Sequence, residues 1–194
     1  MSKKDVLKYL ERISSVMRTT YRQHLTREGL QLVHLEALTY FSTCNKYSDS
    51  PQHVAEYLGL TKGTVSQTIN ILDSLGLVTK NVDPRDRRKL HITPTLSGKR
   101  LLSKFEHIIK IDDPDGDDLT DNLALAESLH SILRALQKAN GYKTFGACKT
   151  CLHHQVSDGK RMCLLTKEEL TEPEKDMICH EHTPHHAHSV KTSS

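Results

Sequence analysis

The feature that most constrains this fold is a pair of short predicted helices. A glycine ends each helix, and a basic hairpin follows the second one. Ser50 and Pro51 form a favourable helix start, with serine at the N-cap and proline at the first helical position. Gly59 ends that helix, Thr61 is placed to cap a second one, and Gly76 is a glycine stop after it. Two short helices joined by a glycine-containing turn predict a helix-turn-helix.

The segment after the second helix predicts a β-hairpin. Residues 77–82 and 89–93 have strand composition and flank a basic turn at 83–88. Thr95 can cap a further helix, whose apolar residues continue as far as Ile109. A hairpin in this position is the wing of a winged helix-turn-helix.

Amphipathic helices are also predicted on both sides of the winged motif. The second helix of the chain covers about Leu32–Phe41, and the last long helix covers about Leu119–Ala139. The coiled-coil-like spacing in the last helix favours a dimer built from the terminal helices, although this helix can also pack on the first helix of its own chain. The apolar stripes of the first and last helices are Val6, Leu10, Ile13 and Met17, and Ala126, Leu129, Leu133 and Leu136.

The charge distribution predicts a phosphate-facing surface in the middle of the chain. Between Thr61 and Phe105 there are nine Lys or Arg residues and three acidic ones. Between Asp112 and Leu133 there are seven acidic residues and no Lys or Arg. The acidic run Asp112–Asp118 is not an EF-hand loop, because counting back from its glycine puts an isoleucine where the first carboxylate ligand belongs. We interpret this run as a kink or linker.

No stretch of the sequence has the apolar length of a signal peptide or of a transmembrane helix. We therefore expect a cytoplasmic protein with no membrane partner. In a reducing compartment, the 5 cysteines predict metal binding or thiol redox chemistry instead of a structural disulfide framework.

The second helix of the predicted motif has the composition of a DNA-recognition helix. Gln67 and Asn70 can pair with adenine edges, and Thr64 can contact a thymine methyl group or a phosphate. Basic residues at the wing can neutralise phosphates or enter a minor groove. The candidate DNA-contacting residues are Thr61, Lys62, Thr64, Ser66, Gln67 and Asn70 on the helix, and Arg85, Arg87, Arg88 and Lys89 at the wing.

The run VAEYLGLTKGTVSQTINILDSLGLVTKNVDPRDRRKLHITPTLSGKRLL resembles the core of the MarR family of transcriptional regulators. The resemblance covers about residues 32–102 strongly and the flanking helices in architecture only. It implies a homodimer that binds a pseudo-palindromic operator in double-stranded DNA, with release controlled by a small-molecule ligand or by oxidation. It also implies that the Asp86 carboxylate helps to hold Arg88 in the wing.

The sequence departs from the family pattern at three places. Gln67 stands where the family often has a basic residue, which leaves the operator sequence open. Pro94 occupies a usually aliphatic position, and the acidic break at Asp112–Asp118 interrupts the run into the dimer helices.

The composition changes after Gly141, where four cysteines follow within about 32 residues. Cys148-x2-Cys151 has the spacing of a metal knuckle, and Cys163 and Cys179 follow singly. A closed four-thiolate zinc site is favoured, because zinc is the commoner occupant of a structural appendage. An iron–sulfur cluster and a metal-free thiol switch remain open, since cluster-binding cysteines vary widely in spacing.

Other cofactor sites do not fit this segment. Leu152 stands where a c-type haem site requires histidine, and no strand–helix context supports a thioredoxin-like site. Cys44 is expected to be a buried small residue. The tail histidines His180, His182, His185, His186 and His188 can bind metal loosely, but a disordered polar terminus is the simpler interpretation.

We therefore predict a mainly α fold with a small β wing, a winged helix-turn-helix dimer with terminal dimerisation helices and a cysteine-rich appendage. The expected function is sequence-specific DNA-binding regulation, modulated by a metal site or by cysteine redox state. A metal-stapled protein-interaction adaptor is the alternative. A thiol or metal enzyme is disfavoured because no residue set combines a base, an orienting group and an oxyanion donor. The predicted segments are 1–31 (N-terminal dimerisation helix), 32–111 (DNA-binding domain), 112–142 (acidic break and C-terminal dimerisation helix), 143–183 (cysteine-rich segment) and 184–194 (disordered tail).

Overall fold

The computed structural model describes residues 3–109, 123–157 and 159–184. The acidic run Asp112–Asp118 and the tail histidines beyond Pro184 lie outside these ranges. The predicted fold class is confirmed: the chain is mainly helical with small antiparallel sheets. No helix within the described ranges is long and apolar enough to cross a membrane.

The chain divides into two compact units. The first contains residues 1–42 and 50–129, and the second contains residues 43–49 and 130–194. The helices are α1 (Lys3–Leu25), α2 (Leu32–Thr43), α3 (Pro51–Leu58), α4 (Lys62–Ser74), α5 (Leu96–Glu106) and α6 (Leu123–Ala139). The strands are β1 (Val78–Val82), β2 (Leu90–Pro94), β3 (Gly146–Ala147), β4 (His154–Ser157), β5 (Lys160–Cys163), β6 (Glu168–Leu170) and β7 (Ile178–Cys179).

The predicted caps define the helix-turn-helix, α3 and α4. Ser50 accepts a hydrogen bond from the backbone N–H of His53 at 3.3 Å, and Pro51 is the first residue of α3. Thr61 caps α4 by accepting from the N–H of Thr64 at 3.2 Å. These caps satisfy N–H groups that have no partner within the helix.

The core of the first unit lies among α2, α3, α4, α5 and the wing. Tyr40 of α2 is the largest fully buried side chain, and its ring centroid lies 4.8 Å from that of Tyr57 in α3. Val65, Ile69 and Leu72 form the buried face of α4, as their spacing predicts. The wing strands β1 and β2 are antiparallel, with Val78 opposite Pro94 and Val82 opposite Leu90.

Helix α5 is shorter than the prediction, which extended it through Ile109. It ends at Glu106, and the N–H of Ile108 bonds to the carbonyl oxygen of Phe105, three residues back, in a tighter turn. Two consecutive β-branched isoleucines follow, and their stiff side chains disfavour further helix. The apolar periodicity therefore continued beyond the helix.

The second unit has little apolar core. Strands β4, β5 and β6 form one antiparallel sheet, and β3 pairs with β7 in another. Among the described residues of this unit, the buried apolar side chains are Phe145 and three cysteines, Cys44, Cys148 and Cys151. Buried polar groups and sulfur atoms therefore take up much of its interior.

A substitution at Gly98 tests how tightly α5 packs against the start of the wing. A Cβ at this position would collide with the backbone carbonyl oxygen of Leu77, which also accepts the N–H of Thr95 at 3.0 Å. Because that oxygen is backbone, Gly98→Ala is expected to lower the free energy of unfolding by about 1–3 kcal/mol, despite the better helix propensity of alanine.

The matched control is Gly63→Ala in α4, where a Cβ meets only the Thr61 hydroxyl at 3.9 Å. Urea unfolding followed by circular dichroism measures both variants. A Gly98→Ala protein as stable as the Gly63→Ala protein would contradict this packing.

Candidate nucleic-acid interface and cysteine cluster

The buried face of α4 leaves its polar face in solvent. Lys62, Ser66, Gln67 and Asn70 are exposed, while Thr64 is half-buried. Thr61 and Thr64 are engaged with each other, since their hydroxyl oxygens lie 2.9 Å apart. These two threonines therefore shape the N-terminus of the helix, and the other four side chains face solvent.

Asn70 has a partner that the sequence did not indicate. Its side-chain oxygen accepts a hydrogen bond from Lys80 Nζ of β1 at 2.7 Å, and the same ammonium lies 2.9 Å from the Asp73 carboxylate. Lys80 thereby links α4 to the first wing strand. To pair with adenine as predicted, the Asn70 oxygen must either give up its hydrogen bond from Lys80 or accept from both donors at once.

The wing carries four exposed cations, Arg85, Arg87, Arg88 and Lys89. Asp86 Oδ1 lies 3.2 Å from Arg88 Nε and also accepts the backbone N–H of Arg88 at 3.1 Å. The Arg88 side chain is 92% exposed, so this ion pair is strongly screened and can yield to a phosphate. The family resemblance implied that Asp86 helps to hold Arg88, and the two side chains are in contact in the wing.

Asp83 organises the wing turn, a role that we had not assigned from the sequence. Its Oδ1 accepts the backbone N–H groups of Arg85 and Asp86 at 2.7 and 2.8 Å. Its Oδ2 lies 3.2 Å from His91 Nε2 on the returning strand. The two backbone N–H donors, followed by His91, lower the pKa of Asp83 to about 2. An aspartate before proline at a turn start is a recognisable signal for such an Asx turn.

The structure brings two of the four predicted ligand cysteines into direct contact. The Cys148 thiol donates a hydrogen bond to the Cys179 sulfur, an interaction that raises the pKa of Cys148 and lowers that of Cys179. The Asn45 side chain donates to Cys148 Sγ at 3.9 Å and also to the Cys179 sulfur. Together these donors favour a thiolate at Cys179 and a thiol at Cys148.

The other two cysteines, Cys151 and Cys163, belong to the same unit. Cys163 ends β5, on the strand next to β4. The Cys151 sulfur accepts the backbone N–H of Thr183 at 3.4 Å. Within the ranges that the structure describes, no three His, Cys, Asp or Glu side chains converge closely enough to hold a metal ion.

Two histidines of this unit are notable: His182, which was expected in a disordered polar terminus, and His154, for which no role was predicted from the sequence. His182 is buried, and its two ring nitrogens lie 3.2 and 3.0 Å from the hydroxyl groups of Thr144 and Thr150. It is therefore engaged as a structural residue. His154 lies opposite Cys163 across β4 and β5, and its Nε2 is buried without a hydrogen-bond partner among the described residues. The spacing Cys151-x2-His154 is a signal that we did not use.

Residues 28–89 match the model of the MarR family, and this match ends well before the cysteines of the second unit. No curated protein sequence matches the chain.

Solved structures with the same fold include three whose matches cover about 70% of this chain. Streptococcus pneumoniae FabT, crystallised in complex with DNA, has a TM-score of 0.55 at 20% identity, and the match covers 71% of this chain and 99% of FabT. A MarR transcriptional regulator from Methanosarcina mazei Go1 gives 0.55 at 18% identity, with 71% and 99% covered. CouR from Rhodococcus jostii RHA1, bound to p-coumaroyl-CoA, gives 0.52 at 21%, with 70% and 91% covered.

The Asp83 carboxylate is expected to control the order of the wing. Asp83→Ala removes the acceptor of two backbone N–H groups, so amide hydrogen exchange at Arg85 and Asp86 should accelerate at neutral pH. Asp83→Asn keeps an oxygen acceptor and serves as the matched control. Equal exchange in the two variants would contradict the role of Asp83.

The same carboxylate predicts a pH dependence. The folded pKa of Asp83 is depressed to about 2, so its stabilisation of the wing is present above the unfolded pKa, near 4, and is lost as the pH falls towards 2. Exchange at the wing should therefore become independent of the Asp83→Ala substitution at the acidic end of this range.

The family match over residues 28–89 and the likeness to these solved structures together identify the fold of this chain as the MarR winged helix-turn-helix.

Proposed function

We propose that this protein is a sequence-specific, double-stranded-DNA-binding transcriptional regulator and not an enzyme. The observation that carries the proposal is the combination of an exposed polar face on α4 with an exposed basic wing that follows it in the chain. A helix of this kind fits the major groove, where Gln67 can contact base edges. The wing cations supply phosphate contacts, which provide affinity and position the helix.

The comparisons support this function. The FabT structure was solved in complex with DNA, and residues 28–89 of this chain match a family of regulators. The expected location is the cytoplasm, where operator DNA is accessible. A small molecule or a redox signal is expected to control release from DNA.

We propose that the protein acts as a homodimer on a pseudo-palindromic operator. In the single chain, the predicted α6 stripe is exposed, at 43% for Leu129, 51% for Leu133 and 45% for Leu136. Apolar side chains of α1 are also exposed, among them Ile13 at 54%. Apolar helix faces of this extent favour burial against a second copy, and two-fold symmetry matches two operator half-sites.

We also propose that the cysteine segment holds a metal and that its state modulates operator binding. The proposed ligands are Cys148, Cys151, Cys163 and Cys179, with zinc favoured over an iron–sulfur cluster. Support comes from the contact between Cys148 and Cys179 and from the presence of all four cysteines in one unit, because cysteine thiolates are the ligands of both cofactors.

The wing variants Arg87→Ala and Arg88→Ala test the DNA-binding function. A preferred duplex is first selected from a random-sequence pool, and affinity for it and for a scrambled duplex is then measured across salt concentrations. Each variant should weaken binding to both duplexes and reduce the salt slope by roughly one per lost phosphate contact. Gln67→Ala should instead change which sequences are selected.

Lys104→Ala is the matched control, because Lys104 is an exposed cation of α5 whose Nζ lies 3.5 Å from Glu28. Unchanged affinity and slope in both wing variants would reject the wing assignment. Absence of any salt-dependent DNA binding by the wild type would favour the protein-interaction adaptor.

The double variant Leu129→Glu with Leu133→Glu tests the homodimer. Four added carboxylates in a symmetric apolar interface are expected to give a monomer or an unfolded chain. Light scattering reports the mass, and circular dichroism reports the fold. Ser131→Glu with Lys138→Glu, on the opposite face of α6, is the control and should remain dimeric. A well-folded wild-type monomer at micromolar concentration would exclude the dimer.

A further inference from the structure

Lys80 of β1 differs from the exposed cations at the tip of the wing. It lies opposite Ile92 in the antiparallel pair, and residues directly opposite each other share one face of a sheet. Because Ile92 is almost fully buried, Lys80 lies on the face of the wing that packs on the core. Its side chain is 28% exposed, whereas that of Arg88 is 92% exposed. Lys80 is therefore a half-buried cation held within the domain.

Two acceptors on α4 hold the Lys80 ammonium. Its Nζ lies 2.7 Å from Asn70 Oδ1 and 2.9 Å from Asp73 Oδ2. Asn70 and Asp73 are three residues apart in the helix, a spacing that makes their side chains neighbours on its surface. Two of the three ammonium hydrogens are therefore directed at α4.

The ammonium determines the orientation of the Asn70 amide. Lysine has three donor hydrogens and no acceptor, so it can bond to the oxygen of an amide and not to its NH2 group. The Asn70 Nδ2 group lies on the other side of the amide carbon and carries two donor hydrogens, and Asn70 is exposed. A hydrogen bond from a charged donor also polarises the amide, which makes its N–H groups stronger donors. Asn70 therefore offers donors to a ligand, while its acceptor is already in use.

The orientation of this amide determines which base edges it can recognise. An asparagine that recognises adenine donates to N7 and accepts from the N6 amino group. Here the oxygen already has an ammonium at 2.7 Å, so an N6 amino group that used its second lone pair would bring another positive hydrogen next to that charge. Guanine presents two acceptors in the major groove, N7 and O6, and cytosine presents a donor. An amide that only donates therefore matches guanine best and disfavours cytosine.

We propose that Lys80 determines base specificity through Asn70: by occupying the amide oxygen, it makes Asn70 a donor to guanine at one position of each operator half-site. The inference rests on the proposed DNA-binding function and deepens it. Asn70 lies three residues after Gln67 on the exposed face of α4, the face that is proposed to enter the major groove. Lys80 contacts no base in this arrangement and is a positioning residue. Guanine replaces the adenine pairing that the residue type alone predicts for Asn70.

Selection from a random-sequence pool of DNA duplexes identifies the base that Asn70 contacts. Wild-type and Asn70→Ala proteins are compared, and the position whose preference disappears in the variant is the contacted one. In the wild type we expect guanine at this position, bound roughly tenfold more tightly than a duplex with adenine there. Any other preferred base, or the lack of a position that depends on Asn70, would overturn the proposal.

Lys80→Met tests the positioning role. Methionine keeps an unbranched apolar stem opposite Ile92 but removes the ammonium, which frees the Asn70 amide to pair with both N7 and N6 of adenine. We expect the preference for guanine over adenine to fall to about twofold or less, or to reverse. In Asn70→Ala protein the same substitution should not change base preference, because the residue through which Lys80 acts is missing.

Two outcomes for Lys80→Met protein would overturn the proposal. One is an unchanged preference for guanine. The other is an equal loss of affinity for all duplexes with a smaller salt slope, which would make Lys80 a phosphate contact. Lys104→Met removes an exposed cation of α5 and is the matched control, for which base preference should stay as in the wild type.

Asn70→Asp keeps the test decisive even where Lys80→Met protein fails to fold. The aspartate carboxylate can still accept from Lys80, but it has no hydrogen to donate to a base. The preference for guanine should therefore be lost, while circular dichroism shows an unchanged fold. Survival of the preference in folded Asn70→Asp protein would contradict the assigned role of the amide donors.

A measurement without DNA separates this inference from the proposed function. In the free wild-type protein, NMR relaxation of the Asn70 side-chain amide should report an ordered group, which becomes more mobile in Lys80→Met protein. Equal mobility in the two proteins would overturn the role of Lys80 whether or not DNA binds. Absence of salt-dependent DNA binding would reject the proposed function together with the guanine contact, whereas DNA binding without the guanine preference would reject this inference alone.

Discussion

Burial of one face of α4 is the constraint on which the candidate DNA interface depends. Val65, Ile69 and Leu72 are almost fully buried, so rotation of the helix about its own axis would expose apolar surface. Each such side chain contributes about 1.5–3 kcal/mol on burial, which exceeds what any single polar contact on the opposite face can contribute. The packing therefore determines which residues face outward, and Gln67 is presented as a consequence of the core.

The wing is positioned by a different kind of interaction. Its turn has no buried apolar side chain, since Arg85, Arg87 and Arg88 are exposed and Asp83 and Asp86 are only half-buried. Instead, the Asp83 carboxylate gathers two backbone N–H groups and the ring of His91, and the Asp83 N–H bonds to the Lys89 carbonyl oxygen at 3.0 Å. A helix fixed by packing suits base recognition, and a wing held by hydrogen bonds suits contact with phosphates.

Local features of the fold were predictable from the sequence, because their signals lie within a few residues. The caps at Ser50, Thr61 and Thr95 and the buried stripe of α4 follow from capping chemistry and helical spacing. The end of α5 was not predicted, because apolar periodicity does not report where helical hydrogen bonding stops. Within the candidate site, Asp83 had a recognisable turn signal, whereas the bond between Asn70 and Lys80 joins two elements and has none.

The contacts of Asn45 could not be predicted from the sequence. Its contacts with Cys148 and Cys179 span more than 100 residues of sequence, and nothing in a polar, turn-like loop indicates which distant segment it will join. The stability that a small folding unit requires explains these contacts better than the local sequence does. Small folding units with little apolar core usually need disulfides, metals or a partner for stability.

In the second unit, the described buried apolar side chains are Phe145 and three cysteines, so hydrophobic burial offsets little of the chain entropy. Hydrogen bonds of buried polar groups such as Ser48 and His182 therefore take a larger share of the stability here than in the first unit. When stability depends on a ligand-binding centre, binding and folding share one free energy, and any segment that the centre orders responds to the ligand. The loop 43–49 belongs to this unit and directly precedes the helix-turn-helix in the chain, so it is the segment that the proposed metal centre would order.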